Sequence, residues 1–392
     1  MTVKRNAIKA QSYLNYPPIA RHNALPYNRA LILQAITDFK QLFLSDTPMV
    51  DVRAPVEFTK GAFPCSINAP LMNDDEREAV GTCYKKHGPD AAVELGHQLV
   101  FGDIKAQRVQ QWQNFASEHP KGVLYCFRGG LRSRIAQQWL SDAGIDRPYV
   151  EGGYKAMRTY LLKQLNLRVN EGQFLVLSGS TGSGKTEVIN AWPHSIDLEG
   201  LACHRGSAFG KTFVPQPAQI DFENAWSVAW LKRIQVNDSP VLIEDESHLI
   251  GRVVVLPEYL SATKFASNIL LVAPYEERIA RIRRDYFMDA FEHYQKNDPN
   301  TSHDLLDAFI RDAVLRIKKR LGGARFTFIN TTLDSAIIAL KSQNQWSGFD
   351  DIINALLSEY YDPMYDYQYQ QKADKTIFKG THAEIIQWLA TR

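Results

Sequence analysis

The feature that most constrains this chain is a glycine-rich stretch between an apolar run and a helical pattern. Residues 179–186 read Gly-Ser-Thr-Gly-Ser-Gly-Lys-Thr and match the phosphate-loop pattern G-x-x-x-x-G-K-[ST] at every position. The preceding apolar residues 173–178 predict a strand, so the order strand, loop, helix that this pattern requires is present. The sequence therefore predicts an α/β domain that binds a phosphorylated ligand. The predicted phosphate-binding residues are Gly179, Gly182, Ser183, Gly184, Lys185 and Thr186.

A second apolar run, residues 241–243, ends in the acidic residues Glu244, Asp245 and Glu246. We expect Asp245 to act with Thr186 in holding a magnesium ion, as the acidic residue after the neighbouring strand does in phosphate-loop proteins. Either glutamate could orient a water molecule. The motif does not identify the ligand, because a nucleotide and a diphosphate ester present the same phosphate groups.

Cys126 lies in a second strand-loop-helix pattern. Apolar residues 122–126 precede the turn Arg128-Gly129-Gly130, and residues 133–143 repeat apolar side chains at helical spacing. Backbone N–H groups at a helix N-terminus favour an anion, and Arg128 and Arg132 add positive charge. We therefore predict a reactive thiolate near neutral pH, in a loop that holds an oxyanion or the terminal sulfur or selenium of a persulfide-type adduct. A buried structural cysteine is the alternative.

These patterns divide the chain into two α/β domains. Residues 38–165 are predicted to form the first and residues 166–392 the second, with a tail that is helical at both ends; residues 1–37 are expected to be an extension. Hydrophobic residues make up 45% and charged residues 22%, as in ordinary globular proteins. No run of ~18 apolar residues predicts a membrane span. Four cysteines without a C-x-x-C pair fit a reducing cytoplasm.

The residues around Cys126 resemble rhodanese domains. Residues 51–58, Asp-Val-Arg-Ala-Pro-Val-Glu-Phe, look like the motif of an early rhodanese strand, and the cysteine loop is similar to the sulfur-carrying loop. Five residues separate Cys126 from Arg132, one more than in most sulfurtransferase loops. The same spacing occurs in protein-tyrosine phosphatases, including the rhodanese-like dual-specificity group. Loop size therefore leaves phosphatase chemistry open.

The two domains in this order resemble the tRNA 2-selenouridine synthase family, and the resemblance extends from about Ser45 to the C-terminus. It implies an α/β fold with an N-terminal rhodanese-like domain and a C-terminal P-loop NTPase-like domain with a parallel sheet. Beyond the two loops, the resemblance is carried by residues 70–77, 79–84, 150–156, 197–201, 204–210, 244–247 and 359–365.

This resemblance implies a cytoplasmic transferase that acts on the wobble uridine of tRNAs carrying a 2-thio group. Geranyl diphosphate first geranylates the sulfur, and selenium from selenophosphate then replaces the geranylthio group to give 2-selenouridine. Cys126 matches the family's reactive cysteine, with Arg128 and Arg132 as its catalytic neighbours. The phosphate loop is expected to bind the diphosphate end of geranyl diphosphate. The implied partners are the tRNA and an enzyme that supplies selenophosphate. No membrane association is expected, and the protein is expected to be a monomer or a homodimer.

A tRNA partner requires basic surface, because phosphate contacts dominate affinity. The net charge of +2 means that such a surface must come from local clusters. Basic residues cluster on two predicted helical segments, within residues 278–284 and 318–325, and each cluster could equally be a solvated face with local ion pairs. The tyrosines of residues 360–369 could stack an unpaired base or pack a core. The candidate RNA-binding residues are Arg205, Lys211, Arg281, Arg284 and Lys319.

Two other functions remain open. The first is a rhodanese-like phosphatase or sulfurtransferase fused to a regulatory nucleotide-binding domain, which the breadth of the resemblance disfavours. The second is a non-catalytic P-loop interaction protein with a vestigial rhodanese fold, which the intact set of Cys126, Arg128 and Arg132 disfavours.

Overall fold

Short, buried apolar runs form the strands of two separate parallel sheets. The computed structural model describes residues 35–169, 174–235 and 239–391, so the predicted extension lies almost wholly outside the described residues. Val50, Leu124 and Ile243 are 0–1% exposed, as expected of strands in parallel sheets with both faces covered. The strands are β1 (Ala35–Ile36), β2 (Met49–Asp51), β3 (Ser66–Asn68), β4 (Val123–Tyr125), β5 (Tyr149–Val150), β6 (Phe174–Ser178), β7 (Ser195–Ile196), β8 (Val241–Glu244), β9 (Leu249–Ile250), β10 (Val253–Val254), β11 (Ser267–Leu271) and β12 (Thr376–Gly380).

Helices follow most of these strands. Helix α3 begins with a capping box in which Asn73 and Glu76 each bond the other's backbone, and it is kinked at Gly88, where φ is +88°. The α-helices are α1 (Phe39–Leu44), α2 (Pro55–Phe58), α3 (Asp74–Leu99), α4 (Gly102–Glu118), α5 (Leu131–Asp142), α6 (Gly153–Val169), α7 (Lys185–Ala191), α8 (Leu198–Leu201), α9 (Gln219–Arg233), α10 (Pro257–Thr263), α11 (Tyr275–Ile282), α12 (Asp289–Asn297), α13 (Ser302–Leu321), α14 (Gly323–Gln343), α15 (Gly348–Leu356), α16 (Asp362–Gln370) and α17 (His382–Leu389). Two π-helical turns, Arg283–Met288 and Leu357–Tyr361, and the 3₁₀ turn Ala373–Lys375 complete the helical elements.

The first sheet has the strand order β1-β5-β4-β2-β3, and all its neighbours are parallel. Its central strand β4 ends at Tyr125, directly before Cys126, and α5 begins five residues after that cysteine. The predicted strand, loop and helix around Cys126 are therefore confirmed as a local structure. The loop lies at the carboxyl edge of a parallel sheet, where helix N-termini converge.

The second sheet has the order β12-β11-β6-β8-β7 and is also parallel throughout. Strand β6 leads into the phosphate loop, and β8, which leads into Glu244, is its direct neighbour. Because the carboxyl ends of parallel strands meet at one edge, the loop and the acidic residues are brought side by side. Strands β9 and β10 form a separate antiparallel pair. The predicted mixed α/β fold with parallel sheets is thus confirmed.

The C-terminal tail is helical at both ends, but it also contributes an edge strand that the sequence pattern did not indicate. Strand β12 pairs with β11, with Phe378 opposite Ile269. The tail thereby becomes part of the second sheet rather than an appendage to it. None of the described helices combines the length and apolar character needed to cross a membrane.

One buried hydrophobic cluster extends between the two sheets. Residues Ala35–Arg392 form a single compact unit, and its buried cluster joins Phe63 and Tyr125 beside the first sheet to Trp226 and Tyr259 beside the second. Helix α6 packs on α9, and the predicted boundary at residues 165/166 falls inside α6. Asp221 on α9 accepts a hydrogen bond from Ala62 N at 2.6 Å.

Candidate active site

The loop after β4 holds Cys126 in a buried position. This cysteine is 3% exposed and packs in the same apolar cluster as Val50, Leu124 and Trp139. The loop backbone is anchored to the start of α6: Tyr154 N donates to Cys126 O at 2.8 Å, and Lys155 N donates to Phe127 O at 2.9 Å. The position of the thiol is therefore fixed by a strand on one side and by a second helix on the other.

Close backbone packing between this loop and Gly153 explains why α6 begins with glycine. Gly153 has φ +55°, and a Cβ on it would overlap Cys126 O and Gly129 N. Gly129 itself has φ +58° and faces Val150 O. Only glycine combines this backbone conformation with so close an approach. The sequence pattern marked residues 150–156 without indicating this supporting role.

Arg132 and Arg128 differ in their environments. The Arg132 guanidinium pairs with Glu57 in a bidentate manner, with Nη1–Oε2 at 2.5 Å and Nη2–Oε1 at 3.1 Å. Burial raises the pKa of Glu57, but the hydrogen bond and charge of Arg132 outweigh it and leave that pKa below its ordinary value. Arg128 is exposed, with its guanidinium 5.9 Å from the centroid of the Phe127 ring.

Ser133, in the first turn of α5, adds a polar group to the cysteine loop. It is fully buried, and its hydroxyl has no hydrogen-bond partner among the described residues. A buried hydroxyl without a partner is costly unless a bound group satisfies it. The residues from Cys126 to Ser133 thus combine a helix N-terminus, a buried hydroxyl and the guanidinium of Arg132, groups of the kind that suit an anion. The sequence did not identify Ser133 as a site residue, because serine is common near the N-termini of helices.

The phosphate loop has the compact conformation expected of its motif. Lys185 Nζ donates to Gly179 O at 3.0 Å. Burial lowers the pKa of Lys185, but Tyr365 and Glu244 outweigh it and hold that pKa above its ordinary value, so the side chain stays an ammonium ion. The loop is also held from α11, because Arg278 donates to Thr181 O at 2.9 Å and Arg281 donates to Gly182 O at 2.7 Å.

A cavity of about 150 Å³ lies over this loop. Its walls include Ser180 and Lys185 from the loop and Tyr365 and Tyr369 from the C-terminal tail. The Tyr365 ring centroid is 5.7 Å from Lys185 Nζ, and Arg278 ties the tail to the loop through a bidentate pair with Asp362. Tyr365 and Tyr369 therefore line the cavity over the phosphate loop, while Tyr361 is buried in an apolar cluster, as the core-packing alternative expected.

Three carboxylates meet next to the loop: those of Glu199, Glu244 and Glu246 have oxygens within 4.8 Å of one another. Burial, together with repulsion from the neighbouring carboxylates, raises the pKa of each to about 8, although the charge of Lys185 opposes the rise. Thr186 donates to Glu244 Oε1 at 3.2 Å, and Glu244 Oε2 has no hydrogen-bond partner among the described residues. Oxygen donors so arranged suit a hard divalent cation such as Mg²⁺.

The structure does not bring Asp245 into contact with Thr186, as the sequence analysis had predicted for a shared metal site. Asp245 is paired with Lys372 of the tail, with oxygens 2.5 and 2.6 Å from Nζ, and it accepts a hydrogen bond from Ser178 at 3.0 Å. The side chain that faces Thr186 is Glu244, the last residue of β8. Glu199 comes from α8, 45 residues before Glu244 in the chain, so no local pattern linked it to this site.

The candidate RNA-binding residues lie in different environments. Lys211 and Lys319 are exposed. Arg205 pairs with Asp289 at 3.0 Å, while Arg281 and Arg284 both pair with Glu187, at 3.0 and 3.1 Å. The basic residues on α11 and on the π-helical turn after it thus have the local ion pairs of the alternative interpretation, and Arg281 also donates to the phosphate loop.

Comparison with known proteins shows which family this chain is similar to. Residues 172–392 match the family model described as the tRNA 2-selenouridine synthase AAA domain. The chain is 50% identical to the tRNA 2-selenouridine synthase of Marinobacter nauticus, a similarity that covers 91% of this chain and 97% of that protein. It is 48% identical to the proteins of that name from Shewanella frigidimarina, covering 90% and 97%, and Cupriavidus pinatubonensis, covering 91% and 98%.

Proposed function

This chain belongs to the tRNA 2-selenouridine synthase family, and on that premise we propose that it replaces the sulfur of a wobble 2-thiouridine in tRNA with selenium. The observation that carries the proposal is the joining of two strand-loop-helix units, one with Cys126 and one with Lys185, on sheets that are bridged by one buried cluster. Selenium transfer needs a site for a nucleophilic chalcogen and a site for a phosphorylated donor group. The chain offers one of each.

The proposed reaction has two stages. The thiocarbonyl sulfur first forms a bond to C1 of geranyl diphosphate, the C1–O bond breaks, diphosphate leaves and the N3 proton is lost to solvent. Selenium from selenophosphate then bonds to C2, and the C2–S bond breaks to release geranylthiol. Water takes up the phosphoryl group to give phosphate. Alkylation makes the second stage feasible, because a thiol leaves more readily than sulfide.

The proposed selenium step takes place at the rhodanese-like loop. Cys126 would assist the transfer of selenium from selenophosphate to C2, in which selenium stays at the selenide level throughout. The α5 N-terminus and the unpaired Ser133 hydroxyl would stabilise the developing negative charge, and exposed Arg128 would meet the anionic donor. Arg132 would support this site through its pair with Glu57.

The proposed geranyl step takes place at the phosphate loop, where diphosphate is the leaving group. Residues 179–186 would wrap the diphosphate with backbone N–H groups, and the ammonium of Lys185 would balance its charge. Tyr365 and Tyr369 would cover it from the tail. Thr186 with Glu199, Glu244 and Glu246 would hold Mg²⁺, which supplies additional positive charge for the leaving diphosphate. A nucleotide in the same cavity is the alternative ligand.

The test uses the purified full-length chain and a synthetic anticodon stem-loop that carries 2-thiouridine, with nucleoside mass spectrometry as the readout. Geranyl diphosphate alone should give geranylated 2-thiouridine, and selenophosphate added afterwards should give 2-selenouridine. Cys126→Ser should abolish the second product and keep the first. Absence of both products with the wild-type chain would refute the proposal. Release of phosphate from an aryl phosphate, lost in Cys126→Ser, would instead support the phosphatase alternative.

The tRNA would lie across exposed basic groups of the chain. Exposed Lys211 and Lys319 are the stronger candidates for phosphate contacts, because Arg281 and Arg284 are paired with Glu187. Each phosphate contact removed should lower the slope of log affinity against log salt by about 1. Lys319→Ala should show this change, and an unchanged slope would remove it from the contact surface.

A further inference from the structure

A second cavity lies beside the cysteine loop, and none of the proposed steps involves it. It measures about 170 Å³ and lies between helices α3 and α5. Its lining is almost wholly hydrocarbon, contributed by residues that include Leu71, Val80, Ala92, Gly96, Val100 and Trp139. For comparison, an engineered apolar cavity of ~150 Å³ stays dry and binds benzene. The cavity is therefore large enough to take an apolar group, and water would fill it poorly.

The cavity and the cysteine loop share residues. Arg132 lines the cavity and lies in the first turn of α5, which directly follows the cysteine loop. Leu71, Val100 and Trp139 belong to the buried cluster that contains Cys126. An apolar chain held in this cavity would therefore have its end next to the loop that holds the thiol.

The cavity also opens to the surface. Two of its lining residues, Tyr84 on α3 and Leu131 at the start of α5, are 59% and 50% exposed. Leu131 directly precedes Arg132, so the opening lies on the side of the cysteine loop. A flexible chain could enter there without unfolding α3 or α5. A cavity with an opening, apolar walls and a cation at one side is typical of a site for an amphipathic ligand.

We propose that this cavity binds the hydrocarbon chain of the substrate, the ten-carbon isoprenoid group on the geranylated wobble base, while its sulfur faces the cysteine loop. This inference rests on the proposed two-stage function. Binding of the isoprenoid group in the cavity would then favour transfer of the modified base from the phosphate loop to Cys126. A base that has not been geranylated would lack this hydrocarbon group and would bind at the cysteine loop weakly.

Gly96 offers a way to fill the cavity with little strain. A Cβ on Gly96 would meet only Val80 Cγ2, at 3.8 Å, and its φ is not in the left-handed region. Gly96→Leu should therefore fold, since replacing glycine inside a helix favours the helix. Gly81, on the first segment of α3, does not line the cavity, and a Cβ added to it would meet nothing within 4 Å. Gly81→Leu is the matched control.

The experiment measures the affinity of each full-length variant for two anticodon stem-loops, one with 2-thiouridine and one with geranylated 2-thiouridine. Burial of each methylene contributes about fourfold to affinity, so the wild type should prefer the geranylated RNA strongly. Gly96→Leu should weaken binding of the geranylated RNA on the order of tenfold or more and leave the thio-RNA unchanged. Gly81→Leu should match the wild type for both.

Each outcome separates the cavity from the proposed function. No preference for geranylated RNA in the wild type would overturn the cavity assignment, whereas absence of geranylated 2-thiouridine in the product assay would refute the geranyl step itself. A preference that survives in Gly96→Leu, or an equal loss for both RNAs, would overturn the cavity assignment. Ala92→Leu, one helical turn before Gly96 and also on the cavity wall, provides a second filling variant. If Gly96→Leu folds poorly by thermal melting, Ala92→Leu decides with the same two affinities.

Discussion

The close approach of Gly153 to the cysteine loop yields a sharp prediction about the geometry of the thiol. Gly153→Ala adds a Cβ where Cys126 O and Gly129 N already lie, at a residue with φ +55°. The left-handed conformation costs a non-glycine residue about 1–2 kcal/mol, and forcing the two backbone segments apart costs about 1–3 kcal/mol more. We therefore expect a loss of about 2–5 kcal/mol in the free energy of unfolding.

Function should suffer more selectively than stability. Displacement of the cysteine loop by about 1 Å can lower the rate of a positioned reaction ~100-fold. Conversion of geranylated RNA to 2-selenouridine should therefore fall by about that factor in the folded fraction of Gly153→Ala. Geranylation at the phosphate loop should persist, because that loop lies on the other sheet.

Gly144→Ala is the matched control for this prediction. Gly144 has φ +83°, but a Cβ added to it would meet nothing within 4 Å, so the substitution adds only the conformational cost. Urea unfolding and single-turnover selenation are measured for both variants. The reasoning would be refuted if Gly153→Ala matched Gly144→Ala in both measurements.

Three further predictions concern the phosphate loop. Lys185→Ala should lower the rate of geranylation at saturating geranyl diphosphate by about 100- to 1,000-fold; intact geranylation would remove the loop from that step. Mg²⁺ should raise the melting temperature of the wild type but not of Glu244→Gln, and the effect should grow as the pH rises, because protons must leave the carboxyl groups before a cation binds; a shift that persists in Glu244→Gln would contradict the site. Without divalent cations, stability should fall as the pH rises from 4.5, the ordinary pKa of glutamic acid, to about 8, because the folded state binds more protons on Glu199, Glu244 and Glu246 than the unfolded state does. Urea midpoints that stay constant across this range would argue against it.

Local patterns predicted the parts of this structure that depend on neighbours in the chain. The strand before Cys126, the loop and the following helix occupy consecutive residues, and the same is true of residues 173–186, so spacing alone identified both units. Strand β12 escaped prediction because its hydrogen bonds go to β11, about a hundred residues earlier. Edge pairing of this kind leaves little periodicity in five residues.

The chemistry of the site was predictable to the same extent. Lys185 and Thr186 follow from the motif, whereas the choice of Glu244 over Asp245 depends on which way each side chain leaves the end of β8. Neighbouring residues of a strand point to opposite faces, so a register of one residue decides which acid meets Thr186. Arg281 was predicted as an RNA-binding candidate from its charge alone. Its contact with Gly182 O could not be predicted, because it depends on how α11 packs against the loop.

The buried cluster between the two sheets has a consequence for synthesis of the protein on the ribosome. The first sheet emerges before α9 exists, yet Phe63 and Tyr125 belong to a buried cluster that α9 completes with Trp226. At about 5–20 residues per second, the segment between Tyr125 and Trp226 takes several seconds or more to appear. During that interval the first half presents an uncovered apolar face to chaperones and to other nascent chains. We expect the first half made alone to aggregate, and slow translation between α6 and α9 to lower the yield of folded protein.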